Sequence, residues 1–415
     1  MNSVDVGGLD GGSILSVRKS YRVELDPNKA QREAFLRFAG TARFVYNWGL
    51  ARRTEAYREQ GIRLNSFSLG AELRSLIDER FPWMREVPSR VREGALRNLD
   101  RAFQHFFRRI KEGRKGRAAG YPRFKSRNRG IGGFWNYGCR VEADRVRVSR
   151  VGSVRLKERG RLPLGLTKGA TIVERAGRWF ITVPVEEEIR VPENRGSAVG
   201  VDLGIKSLAV TSDGEVFDNP RCLNSRLRKL RRLSRQHSRR QKGGKNRRKS
   251  ARRLAVLHYR IACARRDALH RVTTDLAKNH GLVAVEDLNV RGMMRNHCLA
   301  QAISDVGFAE FRRQLEYKCQ WYGSRLVVID RFYPSSKRCS ICGDVKSELA
   351  LSERVFRCES CGMVMDRDLN AARNILVAAN PVETQNACGE GSAGREMSDP
   401  VKLPSVNQEL LRVVG

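Results

Sequence analysis

Apolar residues in the first quarter of the chain recur at three- and four-residue spacing. The pattern predicts helices over about 27–39, 41–60 and 89–112, the last with Ala95, Leu96, Leu99, Phe103, Phe106, Phe107 and Ile110 on one stripe. Asp26-Pro27 reads as a helix start, with Pro at the first helical position. Phe35, Phe38, Phe44, Tyr46 and Trp48 lie close enough in sequence to make a small core, so these aromatics are assigned to packing. Ahead of them, Ser20–Leu25 alternates like a strand, and residues 1–17, Gly-rich and nearly uncharged, are expected to be a disordered leader. Short β-type runs at 146–149, 153–156, 171–174 and 179–185, several bounded by Gly, predict a small antiparallel barrel that also recruits Ser20–Leu25.

After a linker at Pro192–Gly196 the pattern changes. Strands at 197–203, 206–211 and 215–217, separated by a Gly turn and an Asp-Gly turn, predict an antiparallel meander. Leu223, Leu227, Leu230 and Leu233 then recur at helical spacing, and a Gly243-Gly244 break precedes a second helix over about 246–279. The segment 221–279 is therefore expected to be a helical hairpin with an apolar seam. A strand (282–286), a helix (about 304–322), a strand (325–330) and a last helix (368–379) follow, and residues 381–415, without periodicity, are expected to be a disordered tail. Meander, helix, strand, helix, strand, helix is the order of a ribonuclease H-like α/β domain.

Composition adds a partner. The 415 residues suggest two or three domains, and Lys+Arg exceed Asp+Glu by 80 to 45, a net charge of +35. An excess of that size points to a polyanion. No amphipathic basic helix or lipidation signal favours a membrane surface, and neither a secretory signal nor a run of 18 apolar residues occurs, so a cytoplasmic nucleic-acid-binding protein is expected. Residues 113–129 (GRKGRAAGYPRFKSRNR) contain no acid and interleave Tyr121 and Phe124 with Arg123, Lys125 and Arg127, the make-up of a backbone-gripping loop. Residues 221–260 carry seventeen Lys/Arg and no acid, and Arg228, Lys229, Arg232, Arg239 and Arg240 are candidates for phosphate contact there.

Two constellations carry chemistry. Cys339-x-x-Cys342 is followed after fifteen residues by Cys358-x-x-Cys361, each pair with a Gly next (Gly343, Gly362). Four thiolates at that spacing suit a closed, structural zinc ribbon, expected over 335–364. The six other cysteines (Cys139, Cys222, Cys263, Cys298, Cys319, Cys388) are scattered and read as ordinary thiols. The second constellation is acidic: Asp202 ends the first meander strand, Glu286 ends the strand after the hairpin, and Asp366 and Asp368 begin the last helix. A charge at the end of an apolar strand is costly unless a cation meets it. Carboxylates gathered from these elements make an oxygen-lined site for Mg²⁺ or Mn²⁺, suited to two-metal phosphodiester hydrolysis. The six histidines show no ligand or triad spacing, and no Walker-type Gly loop is present.

The runs GVDLGIKSLAV, AVEDLNVRGM and SSKRCSICG…FRCESCG…DRDLNAARNIL resemble the TnpB (OrfB) family of insertion-sequence nucleases, relatives of the type V CRISPR effectors. YRVELDPNKAQREAF, ARFVYNWGL and YPRFKSR are similar to its opening segments, so the resemblance covers most of residues 20–380. It implies a RuvC-type nuclease domain (196–380) with a zinc-bearing insertion, a helical recognition domain (26–120) and a β-barrel wedge domain (18–25 with 121–195). It also implies a guide RNA, and cleavage of target DNA beside a short transposon-adjacent motif. By matching position, Asp202 and Glu286 are the first two catalytic and metal-binding acids. Asp368 is the third, with Asp366 the fallback. A monomer is expected. The competing readings are an RNA-guided repressor that does not cut, which has no need of the acids, and a transposase that acts directly on element ends.

Overall fold

The computed structural model describes residues 13–127, 130–350 and 352–379. The expected tail and residues 1–12 of the expected leader lie outside these. The leader is shorter than expected, because residues 14–17 are already strand. β1 (Ile14–Asp26) pairs antiparallel with β8 (Arg178–Arg190) from Ile14↔Arg190 to Leu25↔Trp179. In its first half Val17 is buried, and the cross-strand pairs Arg18–Glu186 (2.8 Å) and Lys19–Glu187 (3.1 Å) add charge complementarity.

Where two helices were expected, α1 (Lys29–Gln60) is one helix of 32 residues. Its cap is Asn28, not Asp26-Pro27, in a reciprocal box with Gln31. Gly40 does not break it: a mid-helix Gly costs only about 1 kcal/mol, and Phe35, Phe38, Ala39, Ala42, Val45 and Tyr46 bury a stripe on both sides of it. A further helix, α2 (Ser66–Glu79), was not anticipated; it is capped by Asn65 and buries only Leu69, Leu73 and Ile77. α3 (Ser89–Lys111) packs on α1 where Gly49 leaves room, since a Cβ there would sit 2.9 Å from Leu96. The aromatic stripe is less buried than expected. Phe44, Phe107 and Ile110 are exposed, Phe44 meeting Phe81 and Trp83 edge-to-face at the surface.

The remaining strands of the first half are β2 (Gly133–Asn136), β3 (Arg140–Val141), β4 (Arg145–Val148), β5 (Gly152–Leu156), β6 (Gly165–Leu166) and β7 (Ala170–Arg175). With β1 and β8 they form an eight-stranded antiparallel sheet, in the order β2-β7-β8-β1-β5-β4-β3-β6. The antiparallel pairing expected of the small barrel is present, and no ladder joins the end strands β2 and β6 among the described residues. Helices and sheet share one core. Phe35 of α1 meets Phe134 (5.8 Å) and Trp179 (5.1 Å) of the sheet.

The second half contains β9 (Ala198–Asp202), β10 (Ser207–Thr211), β11 (Val216–Asp218), α4 (Leu227–Ser238), α5 (Lys245–Asn279) and β12 (Leu282–Glu286). α6 (Val290–Met293), α7 (Ala300–Val306), α8 (Phe308–Tyr322) and β13 (Arg325–Ile329) come next. The hairpin β14 (Val355–Arg357) and β15 (Val364–Asp366), then α9 (Arg367–Ala379), complete the described elements. The sheet order is β11-β10-β9-β12-β13, with β10 antiparallel to β9 and β11, and β12 parallel to β9 and β13. That is the ribonuclease H-like order. Alternation along the strands decides what covers each face. Val199, Val201, Val283 and Val285 pack with Leu269, Phe311 and Leu315 of α5 and α8, while Leu282 and Ala284 meet Ile375 and Ala379 of α9. The single helix expected over 304–322 is two, because Gly307 adopts φ +81° between α7 and α8. In the hairpin α4–α5, Cys222, Leu257 and Ile261 make the seam with Leu223, Leu230 and Leu233 packed around them.

Candidate active site and four-cysteine centre

Asp202 and Glu286 each end an apolar strand, and those strands are neighbours. The register pairs Val201 with Val285, which sets the two carboxyl residues side by side at the C-terminal edge of the sheet. α9 brings the third acid. Gly200 faces this helix so closely that a Cβ would lie 2.1 Å from the Ala372 carbonyl oxygen, and Asp368 is one turn upstream of Ala372. Electrostatics report the crowding: the Asp202 carboxyl is pushed up to about 8, by burial first, then by the charges of Glu286 and Asp368, with Arg367 opposing. Burial also raises Glu286, against which the Ser335 hydroxyl donates a hydrogen bond to its carboxylate.

The neighbouring acids have other duties. Asp366 caps α9, its Oδ1 accepting from the N–H of Asp368 (2.9 Å) and Leu369 (3.2 Å). Asp287 is neutralised by ion pairs with Arg312 and Arg331, whose hydrogen bonds hold it below the usual carboxylate range. Asp202 thus feels the charges of Glu286, Asp368 and Asp366, opposed by Arg367, which pairs with Asp368 (3.5 Å). Like charges this close do not ionise together unless a cation joins them. Carboxylate oxygens are donors suited to a hard divalent cation, but among the described residues only the four cysteines bring three or more ligand atoms within 4.8 Å of one another.

The four cysteines converge as their spacing predicts, with all four sulfurs within 4.8 Å of one another. Cys339 and Cys361 are 3.7 Å apart, and Cys342 and Cys358 3.5 Å. Sulfurs at about 2.3 Å around a tetrahedral ion would be separated by about 3.8 Å. Both knuckles turn at a Gly of positive φ, Gly343 (+80°) and Gly362 (+71°), whose N–H groups donate to the carbonyls of Cys339 and Cys358. The donor set fits zinc.

Of the basic candidates, Arg228, Lys229, Arg232, Arg239 and Arg240 are exposed on the hairpin, as are Arg123 and Arg127 on the loop before β2. Lys125 is exposed as well, but its backbone exchanges two hydrogen bonds with the Asn47 side chain (2.8 and 2.9 Å) and its ammonium lies 3.8 Å from the Tyr46 ring centroid. It anchors the loop on α1. Three further polar residues at the site, Ser335, Asn370 and Asn374, are buried at 3%, 0% and 1% exposure. They lie within the runs that carry the resemblance but take no role there, and the two asparagines stand four apart on α9, so they share a face.

No helix of the described residues is long and apolar enough to cross a membrane. The pattern of the IS605 OrfB family described as "Probable transposase" matches residues 180–297, and that of the "Cas12f1-like, TNB domain" family matches 308–375. A "Helix-turn-helix domain" pattern matches 16–61, which here is a strand and one continuous helix. A relative from Streptomyces pristinaespiralis, named as a candidate RNA-guided DNA endonuclease, is 36% identical over 97% of this chain and 98% of its own. One of the same description from Escherichia coli K12 is 34% identical over 90% of this chain and 94% of its own. The CRISPR-associated endodeoxyribonuclease Cas12f1 of Sulfoacidibacillus thermotolerans is 26% identical over 49% of this chain and 51% of its own. Similarity at that level, end to end, shows the family: the chain belongs to the TnpB (OrfB) family of IS605-type elements.

Proposed function

We propose that this protein is a transposon-encoded, RNA-guided DNA endonuclease that hydrolyses phosphodiester bonds of target DNA beside a short adjacent motif. The observation that carries the reading is the convergence of Asp202, Glu286 and Asp368 on one sheet edge of a chain with net charge +35. Asp202, Glu286 and Asp368 would hold Mg²⁺ or Mn²⁺, which supplies activation of water and stabilisation of the leaving oxygen. Asp366 serves as the cap of α9 and so aims Asp368. Ser335 orients the Glu286 carboxylate.

Around this centre, residues 196–380 act as the RuvC-like nuclease domain, 26–120 as a recognition domain, and 18–25 with 121–195 as the wedge. Zinc at Cys339, Cys342, Cys358 and Cys361 is structural, since four protein ligands leave no open position. Arg123, Arg127, Arg228, Lys229, Arg232, Arg239 and Arg240 grip nucleic-acid backbone, while base pairing with the guide supplies sequence selection. A guided repressor that binds without cutting has no use for three acids held together against their own repulsion, and this favours cleavage.

The test is to purify the protein from cells that carry its native flanking DNA and to sequence the RNA bound to it. A discrete transcript that spans the element's end and continues into neighbouring sequence is expected. Absent or heterogeneous RNA would overturn the guided mechanism.

A further inference from the structure

The loop between β13 and the first cysteine knuckle starts and ends at the acid cluster. Ile329, the last residue of β13, is the register partner of Glu286, and six residues later the Ser335 hydroxyl donates to the Glu286 carboxylate. Ser335 is itself held from α9. The Asn374 side-chain amide donates to the Ser335 carbonyl (2.8 Å) and to the Arg338 carbonyl (2.6 Å). Asn370, one turn earlier on the same helix, donates to the Arg338 carbonyl (2.7 Å) and accepts from the Ser340 N–H (2.9 Å). Arg338 and Ser340 flank Cys339, a ligand of the four-cysteine centre. One continuous set of hydrogen bonds therefore runs from the metal knuckle, through the helix that carries Asp368, to Glu286.

All three side chains are buried, so their polar atoms have no water to fall back on. A buried donor spent on a loop carbonyl fixes that loop at the distance of one hydrogen bond. Resting on the nuclease reading above, we propose that Ser335, Asn370 and Asn374 are positioning residues that make the four-cysteine centre part of the catalytic apparatus. Metal in the knuckle fixes residues 335–340, and that segment sets the Glu286 carboxylate and the α9 face carrying Asp368 in one geometry.

The test uses the full chain with its copurified RNA and a matched DNA target, both saturating, and titrates Mg²⁺. Loss of an outer-shell partner of a metal ligand costs about tenfold or more in metal affinity. S335A is therefore expected to raise the Mg²⁺ concentration for half-maximal cleavage about tenfold, with the maximal rate regained at high Mg²⁺ and with bound zinc and RNA affinity unchanged. N374A, which also loosens the knuckle, is expected to shift the Mg²⁺ midpoint in the same direction and to release zinc faster to a chelator. A Mg²⁺ midpoint for S335A that overlays wild type overturns the inference, as does a loss of cleavage accompanied by loss of zinc and RNA binding. D202A separates the two levels: cleavage lost in D202A with no shift in S335A removes the clamp and leaves the nuclease site standing, whereas cleavage retained in D202A removes the site itself.

Discussion

Gly200 of β9 and Ala372 of α9 are in backbone contact, so close that a single methyl group at position 200 would stand 2.1 Å from the Ala372 carbonyl oxygen. The contact lies two residues before Asp202 and one turn after Asp368, and it sets the distance between those acids. Gly200→Ala must push α9 off the sheet. Overpacking of this kind costs about 1–3 kcal/mol. We expect G200A to lower the melting temperature by several degrees and cleavage by at least about tenfold, with RNA binding unchanged, because the hairpin lies elsewhere. A cleavage assay beside an RNA-binding titration checks it; wild-type cutting would show that α9 does not set the site.

The acids themselves predict a pH dependence. In the absence of divalent ions, burial and like charge push Asp202 up to about 8, against about 3.9 unfolded. The folded state then binds more protons than the unfolded state between those values, so stability falls as pH rises through that window. We expect the melting temperature in Mg²⁺-free buffer to decline between pH about 5 and about 8, and D202N to flatten the decline. Added Mg²⁺ should restore stability most at the alkaline end, where the acids are ready to ionise. Equal Mg²⁺ stabilisation at both ends would contradict the assignment.

Cys358→Ser should lower bound zinc and thermal stability together, because the folding of a ribbon this small and metal binding are one process. Among the described residues the buried core beneath the knuckles is Cys339, Phe356 and Cys358, with Leu349 and Met363 partly buried against it, too little to persist without the ion. Elemental analysis that returned a full zinc complement for this variant would be inconsistent with a four-thiolate site.

The basic residues should separate by salt dependence. Each lost phosphate contact on single-stranded nucleic acid reduces the slope of log affinity against log salt by about 0.7. Replacing Arg228, Lys229 and Arg232 together with Ala should flatten the slope by about three such steps. Lys125→Ala should leave the slope nearly unchanged, since its ammonium is already committed to the Tyr46 face. A slope change for Lys125→Ala as large as that for Arg123→Ala would place it on the nucleic acid after all.

Local rules made part of this molecule legible. Asp202 and Glu286 stand out only in combination, since either acid alone reads as an ordinary turn or cap, and the cysteines because their spacing is their geometry. Asp366 and Asp368 are ambiguous in sequence, since both open a helix; in the structure Asp366 accepts two N–H groups at the start of α9, while the charges of both acids bear on Asp202. Ile14–Val17 looked like a leader because their strand is held by partners 170 residues away in the chain. Gly40 looked like a break because its intrinsic cost is local and the burial that offsets it is not. Ser335, Asn370 and Asn374 lie in motif runs but carry no role in sequence, because a serine in a loop and two asparagines on a helix acquire one only when tertiary structure brings three segments together.

The most direct test of the account is cleavage of a DNA target by the protein–RNA complex, with wild type and D202A compared on matched and scrambled targets in Mg²⁺. We predict cutting by wild type on the matched target alone, and binding without cutting by D202A. Cutting by D202A at the wild-type rate, or wild-type cutting that ignores the match between RNA and target, would contradict it.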